Sequence, residues 1–234
     1  MLLAFETSAK AASVALFQGE KLLGESYQNT GLTHSQTLMT MAEDLLKNCG
    51  VTVNDLTDVA VAAGPGSFTG VRIGVSAAKG LAWGKALPCW GVSTLEAMAL
   101  GLGVQDGYIL PTMDARRAQV YTAMFLAENG VITRVFEDSA IALADLKEQI
   151  VTLDKPIFLV GDGSLLTYST LKSEVPSLIL PPEHKMHQRA VGVGLAAMAA
   201  VARGETGDAE ALTPNYLRLS QAERERLEKE KNPE

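Results

Sequence analysis

The sequence is poor in the residues and segments that mark several classes of protein. Its 234 residues include only two cysteines and three histidines, and no apolar run reaches the roughly 18 residues that a membrane-spanning helix needs. Cys49 and Cys89 form no CxxC pair, so we expect reduced thiols, as in a reducing compartment. The opening residues, MLLAFETSAK, lack the basic and long apolar regions of a signal peptide. We therefore expect a cytoplasmic protein that does not contact a membrane.

Positive charge is scarce as well. The sequence has 20 Lys and Arg against 27 Asp and Glu, which gives a net charge of −7 at pH 7. A chain of this charge repels a phosphate backbone on average, so we do not expect it to bind nucleic acid alone. Hydrophobic residues make up 47% and charged residues 20%, as in an ordinary globular protein with room for one large domain or two small ones.

Strand and helix signals follow the same order in the two halves of the chain. In the first half, strand candidates lie at 2–8, 12–18 and 21–28. We expect the next helix to begin at a capping box of Thr33 and Gln36. Two strand–helix units follow: DVAVAA before a helix over about 71–85, and PCWGV before a helix that Ser93 and Glu96 cap.

The second half repeats this order. Three strand candidates (YILPTMD, AQVYTAMFLAE and GVITRVFED) precede a helix (LADLKEQI), a strand (PIFLVGDG), a helix (SLLTYSTLKSE), a short strand (SLIL) and an Ala-rich helix over 188–203. An order of β-β-β-α-β-α-β-α that occurs twice is typical of the actin-like (ASKHA) α/β fold, which consists of tandem RNase H-like lobes. We expect two lobes, each with a mixed five-stranded sheet flanked by helices.

The lobes are placed at 1–105 and 106–220, with a charged tail at 221–234. The pattern leaves the packing partner of the last helix open, and the first lobe is one candidate.

A Gly-rich turn, AGPGSFTGVRIG at 63–74, joins an apolar strand to a helix, as a phosphate-binding loop does. It has neither the lysine of GxxxxGK[ST] nor the third glycine of GxGxxG. Gly64 and Gly66 permit positive φ, and Ser67 or Thr69 can cap the helix. The same backbone N–H groups would suit an anion. Without a lysine or a metal-binding acid nearby, we favour the capped turn over a phosphate site.

The helix after this turn has one face of small residues. At helical spacing it carries Gly70, Gly74, Ala77, Ala78, Leu81 and Ala82. Small residues let a second element pack closely, either within the chain or from another subunit, and spacing alone leaves both alternatives open.

Six stretches together resemble the TsaB (YeaZ) family, and the resemblance covers nearly the whole chain. They are AFETS, THSQTL, GPGSFTGVRIGVSAAKGLA, GVSTLEAMA, MDARRAQVY and TPNYLR. Members of this family are non-catalytic paralogues of the TsaD (Gcp/Kae1) enzymes. The resemblance implies a protein that acts with TsaD and the ATPase TsaE to form N6-threonylcarbamoyladenosine next to the anticodon of tRNA.

The resemblance also implies the partners of the chain. A TsaD-type subunit would bind directly, through the helices at about 34–48 and 70–85. When the chain is alone, a homodimer would form through the same two helices. The residues expected at this interface are His34, Leu38, Met41, Gly70, Gly74, Ala77, Ala78 and Leu81. TsaE and tRNA would bind to the complex, and not to this chain alone. ATP or ADP and metal would be held by the partner subunits, with no cofactor bound tightly here.

The metal-binding histidines of TsaD-type enzymes are replaced in this sequence. Those enzymes carry an HxEGH-like stretch, and the matching stretch here is VSTLEAM. Thr94 and Met98 occupy the two histidine positions, with Glu96 between them. A hydroxyl and a thioether are poor ligands for iron or zinc, so we expect neither a metal site nor catalysis. Glu96 is expected to serve as the N3 residue of its capping box.

Remnants of a nucleotide site are implied in the cleft between the lobes. Glu6 occupies the acidic position of the first hairpin, and Asp162 lies in VGDGS, which resembles a phosphate loop. Arg116 and Arg117 are expected in the same cleft, beside the Gly-rich turn. Weak nucleotide binding stays open, and so does a rival function: an ATP-dependent phosphotransferase or ATPase of the actin-like superfamily. A metalloprotease-like protein is less favoured, because the histidine positions are lost.

Overall fold

The computed structural model describes residues 1–103 and 106–218, arranged as two α/β lobes. The elements of the first half are β1 (Leu2–Glu6), β2 (Ala12–Gln18), β3 (Lys21–Gln28), α1 (His34–Asn48), β4 (Asp58–Gly64), α2 (Phe68–Lys85), β5 (Cys89–Ser93) and α3 (Thr94–Leu102). The elements of the second half are β6 (Gly107–Arg116), β7 (Gln119–Glu128), β8 (Val131–Ala142), α4 (Leu143–Ile150), β9 (Ile157–Val160), α5 (Ser164–Leu171), β10 (Leu178–Ile179) and α6 (Ala190–Ala202). The predicted order of elements is confirmed. The predicted tail, 221–234, lies outside the described residues.

Both sheets have the mixed five-stranded arrangement that the sequence predicts. The first has the order β3-β2-β1-β4-β5, and the second has the order β10-β9-β6-β7-β8. In each, the first strand of the lobe lies at the centre, antiparallel to the next strand and parallel to the strand after the first helix. The repeated topology confirms the tandem RNase H-like fold.

The faces of the first sheet carry side chains of different size. Leu3 and Phe5 of β1 belong to the core beneath α1 and α2. Ala4, between them, points to the opposite face and packs with α6, because neighbouring strand residues alternate in direction. Small side chains on this face let α6 approach closely. At the contact, Gly194 of α6 leaves room for the ring of Phe17. A Cβ atom at position 194 would lie only 2.8 Å from Cδ2 of Phe17.

Helix α6 therefore follows the second lobe in sequence but covers the first sheet. It contacts β1, β2, β4 and β5, and its most extensive packing is against α3. Helix α3 in turn packs on β6 and β7 of the second sheet, whereas α4 and α5 cover the other face of that sheet. The two helices α3 and α6 thus form the layer between the lobes. Within the described residues, no helix is both long and apolar enough to cross a membrane.

The N-terminus of α1 lies where the sequence predicts it, but the capping box is absent. Thr33 is the N-cap residue and its side chain makes no capping hydrogen bond. The turn is closed by the backbone instead, since Gln36 N donates to Thr33 O at 3.0 Å.

Candidate functional site

The Gly-rich turn is a capped helix start, as the sequence predicts. Ser67 is the N-cap of α2, and its hydroxyl accepts a hydrogen bond from Gly70 N at 3.2 Å. Gly64 has φ +119°, a conformation that side chains rarely adopt. Gly66 differs from the prediction, because it has no positive φ; it is needed for close approach instead, since a Cβ there would lie 2.8 Å from Cβ of Ser8.

The small-residue face of α2 points into the first lobe. A Cβ at Gly70 or Gly74 would collide with Thr7 at the end of β1, and Ala78 is fully buried. Leu38 and Met41 of α1 are also almost fully buried, in the same core. These five residues are buried within the first lobe, which supports packing within the chain. Their spacing is that of a close contact within the chain.

The opposite face of α2 carries a second set of small residues that was not predicted. Ser76, Gly80 and Gly84 follow one another at intervals of four residues and are exposed. A Cβ at Gly80 or Gly84 would have no atom within 4 Å. The signal was present in the sequence, but it was masked by the more regular stripe on the inner face.

A surface groove runs between the solvent-facing sides of α1 and α2, and we call it the docking groove. It has a volume of about 360 Å³ and is lined by His34, Ser35, Leu38, Met39, Arg72, Ile73, Ser76 and Ala77. Met39 is 50% exposed, and Trp83, near the end of α2, is 71% exposed. Of the predicted interface residues, the groove contains His34, Leu38 and Ala77, while Leu81 is half-buried nearby on α2.

His34 connects the docking groove with the hairpin turn after β1. Its Nε2 atom donates to Ala9 O at 2.7 Å, because a carbonyl oxygen can only accept. The turn it holds also borders the cleft between the lobes.

The interlobe cleft brings together most of the residues that were predicted for it. It has a volume of about 480 Å³, and its lining includes Ser8, Lys10, Gly66, Ser67, Asp114, Arg116 and Asp162. Arg116 and Arg117 lie on a tight turn with φ values of +67° and +57°. The side chain of Arg116 is 84% exposed and pairs with Asp114 at 3.4 Å, so it extends mainly into solvent. Arg117 is exposed on the same turn.

Glu6 lies beneath this cleft and is fully buried. Its Oε1 atom accepts a hydrogen bond from Ser8 N at 2.6 Å, whereas Oε2 has no partner within the described residues. Burial, with a smaller contribution from the negative charge of Asp162, raises the pKa of Glu6 to about 7, against hydrogen bonds from Ser8 and Thr7 that lower it. Burial also raises the pKa of Asp162, against a hydrogen bond from Gln188 that lowers it. Both carboxyl groups therefore disfavour negative charge, Glu6 in the interior and Asp162 half-buried at the cleft.

The residues at the two histidine positions do not fit a metal ion. Thr94 is fully buried and its hydroxyl has no hydrogen-bond partner within the described residues. Met98 is packed in the core that α3 shares with the second sheet. Across residues 1–103 and 106–218, no group of three or more His, Cys, Asp and Glu side chains is arranged to bind a metal.

Glu96, between these two positions, has a structural role that differs from the prediction. Ser93 caps α3 by accepting from Glu96 N at 3.2 Å, but the Glu96 carboxylate does not complete the capping box. It pairs with Arg134 of β8 at 3.5 Å and with Arg203, after α6, at 3.2 Å. Glu96 thus links α3 to the second sheet and to the segment that follows α6.

Comparison with known proteins gives a consistent result. Residues 28–225 match the family model of TsaD, described as tRNA N6-adenosine threonylcarbamoyltransferase. The chain is 34% identical to the tRNA threonylcarbamoyladenosine biosynthesis protein TsaB of Bacillus subtilis, over 98% of this chain and 99% of that protein. It is similar to the solved structure of YeaZ from Pseudomonas aeruginosa, with a TM-score of 0.75 and 28% identity over 92% of this chain and 99% of that one. Component A of the (R)-2-hydroxyglutaryl-CoA dehydratase of Acidaminococcus fermentans shares the fold alone, at 12% identity and a TM-score of 0.51 over 86% of this chain and 98% of its own.

Proposed function

Because the chain belongs to the TsaB (YeaZ) family of tRNA threonylcarbamoyladenosine biosynthesis proteins, we propose that it acts in the cytoplasm as a non-catalytic subunit in the formation of this nucleoside. Its direct partner is a TsaD-type subunit, which transfers the threonylcarbamoyl group to N6 of the adenosine next to the anticodon. A TsaE-type ATPase and the tRNA meet the chain through the complex. ATP or ADP and the metal ion are bound by the partner subunits.

The docking groove is the observation that carries this proposal. Met39 lines the groove and exposes a large apolar side chain, and Trp83 does so further along α2; exposed apolar side chains of this size are typical of protein–protein interfaces. Ser76 and Gly80 present almost no side chain, so a partner helix can approach the backbone of α2 closely. A related subunit with the same pair of helices complements such a surface. The same groove can receive a second copy of the chain when the TsaD-type subunit is absent.

The site residues support a subunit without chemistry of its own. Thr94 and Met98 cannot replace two imidazole ligands, because a hydroxyl and a thioether are poor ligands for iron or zinc. Glu6 is the acidic residue that a phosphotransferase of this fold would use. Its carboxyl group is sealed from solvent and retains a proton until about pH 7, so it is poorly suited to hold a cation.

The experiment is to place a large charge on the exposed face of α2, one helical turn beyond Ser76 of the docking groove, without disturbing the core. Gly80→Arg introduces a side chain at an exposed helical position with no atom within 4 Å of the new Cβ. We expect the variant to fold like the wild type but to lose binding to the TsaD-type subunit, measured by calorimetry. We also expect a loss of threonylcarbamoyladenosine formation in a reaction reconstituted with TsaD- and TsaE-type proteins. Ser169→Arg, at an exposed position on α5, is the matched control and should change neither measurement.

Wild-type affinity and wild-type modification by a folded Gly80→Arg protein would show that the partner does not bind at this groove. Hydrolysis of ATP by the purified chain alone would instead favour the rival function, a phosphotransferase or ATPase of the actin-like superfamily.

A further inference from the structure

A segment without helix or strand, residues 205–218, leads from α6 across the first lobe to the second, and we call it the strap. Lys79 of α2 holds its middle, because Nζ donates to Leu212 O at 2.8 Å. Asn215 N donates to Ala63 O at 2.6 Å, at the first residue of the Gly-rich turn. Gly64 is required at this point, since a Cβ there would collide with the carbonyl oxygen of Asn215.

The strap then forms an aromatic stack with the start of α2. The rings of Tyr216 and Phe68 lie 4.4 Å apart and are inclined by 12°. Arg72 completes the stack, because its Nε atom donates to the Tyr216 hydroxyl at 2.7 Å. The guanidinium carbon lies 5.5 Å and 5.8 Å from the centroids of Tyr216 and Phe68, within the range of a cation–π interaction.

The next two residues of the strap contact the second lobe. Leu217 packs against the core of the second sheet, and the Nη1 atom of Arg218 donates to Ala115 O at 2.5 Å. Within four residues, from Asn215 to Arg218, the chain therefore passes from one lobe to the other. Phe68 and Ala115 both line the cleft, so the strap joins the lobes beside its opening.

Arg72 also belongs to the docking groove, where it lies beside Ile73. Its side chain is exposed, and within the described residues its only hydrogen bond is the one from Nε to Tyr216. The Nη1 and Nη2 donors are therefore available to a ligand. Two parallel N–H donors match the two oxygens of a carboxylate, and the planar group is already held by two rings. An apolar groove with one such cation fits a partner surface that is apolar and carries one acidic side chain.

We propose, on the basis of the proposed function, that Arg72 is the anchor of the docking groove for a carboxylate of the TsaD-type subunit, and that the strap holds the guanidinium in position to receive it. Bidentate pairing leaves the Nε bond to Tyr216 intact. A docked partner therefore reinforces the stack instead of competing with it. By thermodynamic linkage, docking then stabilises the strap across the lobes, and a firmly seated strap raises affinity for the partner.

The test compares dissociation constants for the TsaD-type subunit among full-length variants. Arg72→Gln removes the charge and should weaken binding about 10- to 100-fold, the range for losing a charged hydrogen-bonded partner. Arg72→Lys should recover only part of this, because an ammonium group cannot pair with both oxygens at once. Tyr216→Ala keeps the charge of Arg72 but removes the hydrogen bond and the ring that position its side chain. This variant should weaken binding by a smaller factor. Lys47→Gln, at an exposed position of α1, is the matched control for the loss of one positive charge.

Hydrogen exchange of the strap supplies the second measurement. On partner binding, we expect slower exchange at residues 213–218 in the wild type and no change in Arg72→Gln at saturating partner. Equal affinity of Arg72→Gln and wild type, with Gly80→Arg still unable to bind, would overturn the anchor and leave the proposed function standing. If Gly80→Arg binds normally as well, the docking groove itself is wrong. Weaker binding by Arg72→Gln, together with unchanged exchange at the strap of the wild type when the partner binds, would overturn the linkage.

Discussion

Glu6 makes the stability of this protein depend on pH near neutrality. It is fully buried, and burial raises its pKa from 4.5 to about 7. The unfolded chain releases this proton near pH 4.5 and the folded chain only near pH 7, so the folded state binds more protons between these values. The contribution of Glu6 to the free energy of unfolding is therefore greatest below pH 4.5 and falls as the pH rises to about 7. A shift of this size corresponds to about 3 kcal/mol.

Glu6→Gln should abolish this dependence, because the amide keeps the shape of the side chain and carries no charge. We expect the variant to gain stability over the wild type as the pH rises from 5 to 8, by up to about 3 kcal/mol. Urea unfolding at a series of pH values measures the difference. Asp162 is present in both proteins, but its pKa responds to the charge of Glu6, so the difference reports the two carboxyl groups together. Glu43→Gln, on the exposed side of α1, should give no such trend. Parallel pH profiles for Glu6→Gln and wild type would contradict the assigned protonation.

At the scale of elements, helix α2 uses its small residues differently on its two faces. A Cβ at Gly74 would collide with the Thr7 hydroxyl and lie 3.2 Å from Val61 Cγ2, in a core with no free space. Gly74→Ala should therefore destabilise the protein by about 1–3 kcal/mol, the usual cost of overpacking. Gly80→Ala meets no atom within 4 Å and should stabilise it by up to about 1 kcal/mol through helix propensity. Thermal unfolding of the two variants should shift in opposite directions.

The pair of substitutions separates packing from propensity, because both replace a helical glycine with alanine in the same element. If Gly74→Ala were as stable as Gly80→Ala, the inner face of α2 would not be in close contact with β1. In that case the stripe of Gly70, Gly74 and Ala78 would again be available to a partner.

The order of elements could be predicted from the sequence because each signal is local. Apolar runs such as DVAVAA mark buried strands, and Ser67 and Ser93 cap their helices as expected. The orientation of α2 could not be predicted, since small residues occur on both of its sides and only the tertiary structure decides which side is covered. The contact between Arg72 and Tyr216 could not be predicted either, because the two residues are 144 apart in sequence and belong to no periodic pattern.

At the scale of the whole molecule, the lobes of the fold are not independent units. Helix α6 follows the second sheet in sequence, yet it covers one face of the first sheet and packs on α3. Without α6, the first lobe would expose an apolar face that includes Phe17 and Trp90. The strap and the Glu96 ion pairs add further connections between the two halves of the chain.

We therefore expect that neither the fragment 1–105 nor the fragment 106–234 folds alone, and that the two fold when they are mixed. Each lacks the surface that the other supplies, and the apolar area exposed on separation is much larger than a monomer tolerates. Near-ultraviolet circular dichroism and cooperative urea unfolding should be absent for the separate fragments and should return on mixing. The same fragments with Gly194→Phe, which fills the space that the ring of Phe17 needs, should fail to associate. Cooperative unfolding of 1–105 by itself would show that the first sheet is stable without α6.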